Sequence, residues 1–426
     1  SALGIGSLTF RRALAFQAEQ SQRITPDMIE QAEWIAGLEL DPEQREATAQ
    51  AMTAARGRFE ALRAVPLENS VAPALRFEVA GWSSPPSGAG RGEVRMSERA
   101  APALPQADED LAMLPLTELA ALLRTRQVSS LELTRLYLER LRRFDPVLHC
   151  VVSETEDLAL RQAKRADREL AAGRYRGPLH GVPWGAKDLI AYPGYKTTWG
   201  AEPYRDQQLD TKATVAQRLD DSGAVLIAKL SLGTLAWGDR WFGGMTRNPW
   251  DPRQGSSGSS AGSAAATAAG LVGFSLGSET LGSIVSPCRR CGVTGLRPTF
   301  GRVSRHGCMT LAWSMDKIGP IARSVEDCAL IFAALHGADG LDPTAVDRPF
   351  HWPARRDLKT LRIGYFENDL ALTDRPELQV LKELGVQLVP ISLPADYPVG
   401  AMTIILNTEA AAVFDELTRN HPDEQL

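Results

Sequence analysis

Short, almost wholly apolar runs recur along this chain between stretches of helical periodicity. They are GVPWGAKDLI (181–190), GAVLIAKL (223–230), LVGFSL (271–276) and LRIGYF (361–366), and helical spans at 212–221, 263–269 and 324–336 lie between them. A strand covered on both faces has no polar side to show, so it reads as a continuous apolar run rather than an alternating one. Strands of that kind separated by helices predict an α/β fold, with a single large layered domain built on a central mixed, mostly parallel sheet flanked by helices. With 426 residues, 44% of them hydrophobic, the chain has enough apolar material for such a core.

The first hundred residues read differently. Thr25-Pro26 and Asp41-Pro42 each set a capping side chain before a proline suited to the first helical turn, and two or three helices are expected over 8–64. From Pro66 to about Asp110 the sequence turns to Pro, Gly and Ser, as in GWSSPPSGAGRG (81–92). The expected organisation is an N-terminal helical extension (1–65), a linker-like segment (66–110) and a domain over 111–426, with the motif-bearing core at 181–335 and a C-terminal part that stops early. Ser129-Ser130-Leu131-Glu132 is a capping box that opens a helix carrying Leu133, Leu136, Tyr137 and Leu141 on one face.

Charge and cysteine usage exclude several functions. Lys plus Arg total 47 against 52 Asp plus Glu, a net charge of -5, so no basic surface is left over for nucleic acid. Of the five cysteines only Cys288 and Cys291 have a metal-like spacing. No second pair completes a zinc site, so packing is the expected role. No apolar run reaches the length of a membrane span. The cytoplasm is the expected compartment, with a processed or exported form left open because the chain starts at Ser1.

The run SSGSSAGSAAATAAG (256–270) has the composition of a flexible tether but the wrong neighbours for one. It passes into a helix of very small side chains, then into LVGFSL, then into a second Gly/Ser loop, GSETLGS (277–283). Small residues at two adjoining loops let backbone N–H groups approach a substrate oxygen, as an oxyanion hole requires. The phosphate-binding pattern is absent, since no Gly-Lys-Ser/Thr triplet occurs. Ser314-Met315-Asp316-Lys317 fits S-x-x-K, but Gly319-Pro320 would end the helix that pattern needs. His306, beside a glycine turn, reads as structural. For Lys187, set in VPWGAKDLI, three roles stand open: a catalytic base, a core lysine paired with Asp188, and a solvated strand-end lysine. Lys229, in a similar apolar strand without flanking motifs, reads as structural.

The region from about Leu114 to Leu335 resembles the amidase signature family of serine hydrolases. GVPWGAKD, GSSAGSAAATAAG, LGSETLGSI, CGVTGLRPTFGRVS and SMDKIGPIARSVEDCAL match its segments in order. The resemblance implies a Ser-Ser-Lys triad in which Ser283 is the nucleophile, Ser259 the bridging serine in a cis peptide and Lys187 the base. It places Ser260 as a support for the lysine and Glu279 as a brace for the loop. The backbone N–H groups of Thr280, Leu281, Gly282 and Ser283 fall on the oxyanion hole.

A free lysine is charged at pH 7, with only about one in two thousand neutral, so catalysis needs burial to lower its proton affinity. The implied reaction is hydrolysis of a small-molecule amide through an acyl-enzyme, with no metal, no organic cofactor, no nucleic acid and no membrane. A homodimer is a possible assembly. The glutaminase subunit of a tRNA-dependent amidotransferase is the alternative within the family, and an inactive binding scaffold the alternative outside it. Ala261 and Leu281 stand where the family often has glycine, and Val285 stands where it often has arginine, which counts against a substrate carboxylate bound at that position. Trp184, Trp199, Trp237, Trp241 and Trp313, close to the motifs in sequence, point towards aryl or fatty amides.

Overall fold

A computed structural model of the chain describes residues 23–66, 92–97, 102–354, 356–366, 375–392 and 397–420. The expected helix before residue 23 and most of the linker-like segment lie outside the described residues. The chain divides into two compact units, one of Ala74–Arg356 and one formed by residues up to Pro73 together with Asp357–Asp423.

In the second of these units α1 (Pro26–Ala36) and α2 (Pro42–Arg63) begin at the caps read from sequence. The Thr25 side chain accepts from the Met28 amide, and Asp41 forms a capping box with Gln44. Each satisfies backbone N–H groups that the first helical turn leaves without partners. Arg45 ties the two helices together through a two-pronged pair with Glu33, at 2.7 and 3.0 Å.

The unit of Ala74–Arg356 carries the layered fold. Helices α3 (Leu116–Arg124) and α4 (Ser130–Leu148) are followed by β1 (Val151–Glu154), α5 (Glu156–Ala171), β2 (Pro183–Lys187), α6 (Thr214–Ser222) and β3 (Val225–Leu230). Then come α7 (Ala261–Ala268), β4 (Phe274–Glu279), α8 (Val285–Cys291), β5 (Thr294–Gly295), β6 (Lys317–Ala322) and α9 (Val325–Leu335). The six strands form one sheet in the order β1-β3-β2-β4-β6-β5. The central strands β3, β2 and β4 run parallel, and the outer strands are antiparallel to their neighbours. Every residue of β2, β3 and β4 is buried, which explains their unbroken apolar reading.

Strand β2 sits at the middle because its neighbours come very close. A Cβ on Gly185 would lie 2.3 Å from Leu230 Cδ1, so only glycine lets β2 settle beside β3 there. Helix α7 is buried at all eight positions, and a Cβ on Gly262 would fall 2.5 Å from both Cys150 O and Ser231 N. The small-residue run is therefore a packed helix and not a tether. Its small side chains set the distance at which α7 lies against the strands.

Strand β7 (Arg362–Phe366) does not join the central sheet. It pairs in parallel with β8 (Gln387–Ile391) across α10 (Pro376–Glu383), in the unit that holds α1 and α2. Its burial alternates along the strand, unlike the fully covered β2–β4. Among the described residues no helix is long and apolar enough to cross a membrane.

Candidate active site

Lys187 ends β2 with its side chain fully buried. Its Nζ lies 2.7 Å from Ser259 Oγ, 2.8 Å from Ser278 Oγ and 3.1 Å from Ser260 Oγ, with Ser278 O at 3.4 Å. No carboxylate touches the amine among the described residues. Burial is the main influence on its proton affinity and brings the pKa down from 10.5 to about 7. The nearby charges of Asp316 and Glu279 pull the other way without prevailing.

Asp188, next in the chain, serves the other buried lysine. Lys229 Nζ stands 2.7 Å from Asp188 Oδ1 as a fully buried ion pair. Asp188 Oδ1 makes no hydrogen bond among the described residues, so this contact is an ion pair alone. Lys229 instead donates to Lys196 O and Thr197 Oγ1, while Asp188 Oδ2 accepts from the Thr198 amide and hydroxyl. Neither the core pairing with Asp188 nor the solvated position describes Lys187.

The serines come from two loops at one end of the sheet. Ser259 and Ser260 lie just before α7, and the Gly258–Ser259 peptide is cis. The second loop, Thr280–Ile284, leaves the end of β4 and enters α8. The loops are joined directly where the Ser260 amide donates to Ser283 O at 3.1 Å. Ser260 Oγ has every hydrogen-bonding position in use: its proton goes to Ser278 O at 3.0 Å, and it accepts from the Ser278 amide at 3.1 Å and from Lys187. Its proton is thus committed, so Lys187 must donate to it. A neutral amine has two protons and one lone pair. With protons directed to Ser260 and Ser278, the lone pair is left facing Ser259. Ser259 Oγ makes no hydrogen bond except the one with Lys187 among the described residues, so its proton can go to that lone pair.

Ser283 is partly exposed, and its hydroxyl makes no hydrogen bond among the described residues. Its backbone, not its Oγ, is what the structure ties to the Lys187 cluster. Glu279, almost fully buried, accepts from the amides of Ile284 and Val285 at 2.9 and 3.0 Å through Oε2. That leaves the N–H groups of Leu281, Gly282 and Ser283 without hydrogen-bond partners among the described residues. Gly282 has φ +88°, a conformation that favours glycine, and Leu281 is 61% exposed.

Thr280 is gripped at two points. Its Oγ1 donates to Asp316 Oδ1 at 2.6 Å, and its carbonyl accepts from Lys317 Nζ at 2.9 Å. The other Asp316 oxygen accepts from the Leu311 and Ala312 amides. The S-x-x-K pattern is therefore no helix: Lys317 opens β6, pairs across from Glu279 and supports the second loop. Sequence alone does not single out Ser278 or Asp316. The signal for Ser278 is its place on the strand that pairs with β2, and that for Asp316 is its place beside the lysine across from Glu279.

The remaining candidates are structural. His306 accepts the Thr214 amide through its carbonyl and donates its own amide to Ser304 Oγ. Cys288 and Cys291 pack in apolar clusters with Ile284, Ile321, Ala264 and Ala268, and burial raises both thiols. No group of three or more His, Cys, Asp or Glu among the described residues could hold a metal ion. Of the tryptophans, Trp184 is core and stacks on Phe274, whereas Trp237 and Trp313 are exposed.

Comparison with known families bears on this geometry, because the family model described as Amidase matches residues 132–425. The chain belongs to the amidase family. A Glutamyl-tRNA(Gln) amidotransferase subunit from Thermoanaerobacter pseudethanolicus is 37% identical over 330 residues, covering 73% of this chain and 67% of that protein. A putative amidase, AmiD, of Mycobacterium tuberculosis is 40% identical over 278 residues, covering 65% of this chain and 56% of that protein. Among solved structures, the native peptide amidase of Stenotrophomonas maltophilia matches with TM-score 0.62 and 32% identity over 72% of this chain and 68% of that one. This amidase-family chain thus spans about two thirds or less of the length of these relatives.

Proposed function

We propose that this protein hydrolyses carboxylic amides through an acyl-enzyme on Ser283, with Lys187 as general base acting through Ser259. The observation that carries this reading is a fully buried lysine, brought to a pKa of about 7, that lies 2.7 Å from a serine hydroxyl with no other hydrogen bond among the described residues. A serine hydroxyl is a weak nucleophile until a neighbour accepts its proton, and a lysine can accept one only when neutral.

In the proposed sequence Ser283 Oγ attacks the amide carbonyl carbon as its proton passes to Ser259, and the proton of Ser259 passes to Lys187. The resulting oxyanion is met by the free N–H groups of the 280–283 loop, which Glu279, Asp316 and Lys317 hold in place. Ser259 then gives a proton to the leaving nitrogen as the C–N bond breaks, and Lys187 returns one to Ser259. Water repeats the sequence on the acyl-enzyme and releases the carboxylic acid and free Ser283. Every proton is carried by the three side chains, the substrate and water.

Peptide mass spectrometry after treatment with a fluorophosphonate tests the assignment. The adduct is expected on Ser283 and is expected to disappear in Lys187→Ala. Amide hydrolysis by protein that carries the adduct on a different serine would overturn it. A second reading, a glutaminase component within a larger complex, is favoured by the similarity to the amidotransferase protein of Thermoanaerobacter pseudethanolicus. Partner proteins that co-purify with the native chain, and amidation of charged tRNA by that complex, would distinguish it from an amidase acting alone.

A further inference from the structure

The peptide that joins Thr280 to Leu281 has its two polar groups in different surroundings. Its carbonyl, Thr280 O, accepts from Lys317 Nζ at 2.9 Å. Its N–H, on Leu281, has no hydrogen-bond partner among the described residues. Lys317 opens β6 directly across from Glu279, the last residue of β4, so the pairing of these two strands brings the ammonium to the residue where the second serine loop begins.

The other charges around this ammonium are engaged elsewhere. Glu279 accepts from the Ile284 and Val285 amides through Oε2 and lies 3.5 Å from Arg297 Nε through Oε1. Asp316 accepts from the Thr280 hydroxyl through Oδ1 and from the Leu311 and Ala312 amides through Oδ2. Arg305 is paired with Asp342 at 3.1 Å. Thr280 O is thus the one hydrogen-bond acceptor of Lys317 among the described residues. Burial lowers the proton affinity of this lysine, yet the residue is only partly buried and water still supports its charge.

A peptide is one conjugated unit, so electron density drawn towards its oxygen is withdrawn from its nitrogen. A carbonyl that accepts from a cation therefore makes the N–H of the same peptide a stronger donor, as linked hydrogen bonds polarise one another. We propose that Lys317 is a positioning residue that acts through the Thr280–Leu281 peptide, polarising it so that the Leu281 N–H becomes a stronger donor to the oxyanion. The inference rests on the amidase reading and deepens it by giving Lys317 an electrostatic part beyond holding the loop. Its benefit grows as negative charge develops on the substrate oxygen, so it belongs in kcat and not in KM.

Steady-state kinetics of Lys317→Met and Lys317→Arg on one amide test this, with Tm as the check that both variants fold. Methionine keeps the length of the side chain without charge or donor, and arginine keeps both. In Lys317→Met kcat is expected to fall about tenfold with KM changed less than about twofold, a fraction of what outright loss of an oxyanion donor costs. Lys317→Arg is expected to recover part of that loss. A fall carried by KM, or equal losses in the two variants, overturns the proposal.

The amide proton resonances of the loop separate this inference from the amidase reading, because they need no turnover. In Lys317→Met the Leu281 amide proton is expected to move upfield, and by more than those of Gly282 and Ser283. A Leu281 signal that stays in place, or that moves no more than its two neighbours, overturns the proposal even if amides are hydrolysed. The expected movement in a protein that hydrolyses no amide upholds the action of Lys317 on this peptide and removes the amidase reading instead.

Discussion

Asp188 stands next to Lys187 in the chain but pairs with Lys229, at 2.7 Å and out of contact with water. Two buried lysines on adjacent parallel strands thereby acquire opposite characters. One keeps a counter-charge, and the other is left among hydroxyls.

That division predicts different costs of removal. Lys229→Ala leaves Asp188 charged and buried, and is expected to lower unfolding free energy by roughly 3–5 kcal/mol. Lys187→Met exchanges a poorly solvated amine for an apolar side chain of similar length, and is expected to leave stability equal or raised at pH 7. Urea denaturation of both variants measures the contrast.

Activity follows the reverse order. Lys187→Ala is expected to reduce kcat by about 10²–10⁴, the usual worth of a general base, while the protein stays folded. Near-normal turnover of a responsive amide in this variant would remove Lys187 from the mechanism.

The titration of Lys187 gives two pH profiles. With its pKa brought down to about 7, kcat/KM is expected to rise with pH and reach half its plateau near 7. For stability, the folded pKa lies below the unfolded one, so the unfolded chain binds the extra proton between about 7 and 10.5. The destabilising contribution of this lysine is complete below about 7 and fades as pH rises through that window. Lys187→Met should lack this slope, which denaturation at several pH values checks.

Glu279→Ala takes the acceptor from two amides, those of Ile284 and Val285, and leaves them competing with substrate for water and neighbours. A fall in kcat of about tenfold or more is expected, with a smaller change in KM, under the proposal that the loop's free N–H groups meet the transition state. Steady-state kinetics on one amide separates the two parameters.

Gly262→Ala tests the close approach of α7. The added methyl would meet Cys150 O and Ser231 N at 2.5 Å, both backbone atoms that cannot step aside cheaply. Destabilisation of about 1–3 kcal/mol is expected from overpacking, read as a lowered Tm.

Much of the layered fold is legible because covered strands leave apolar runs and helices leave caps; Ser129–Glu132, Thr25 and Asp41 cap where expected. What a run cannot tell is its partner. LRIGYF reads as a strand from its own residues, yet its pairing with β8 depends on residues some twenty positions further on. The partner of Asp188 is hidden for the same reason, since the register of β2 on β3 selects Lys229. Ordered motifs bring Lys187, Ser259 and Ser283 to notice. Ser278 and Asp316 enter only through pairing across the sheet, which a linear reading does not display.

Helix α7 starts where one serine loop ends, and β4 returns to the same end of the sheet to launch the other. The two serine loops are thus prongs of a single fork, whose stem is the tightly seated helix and strand. A shift of the stem would displace the prongs together and preserve their mutual spacing. Relaxation at either tip alone would alter reach without disturbing the foundation.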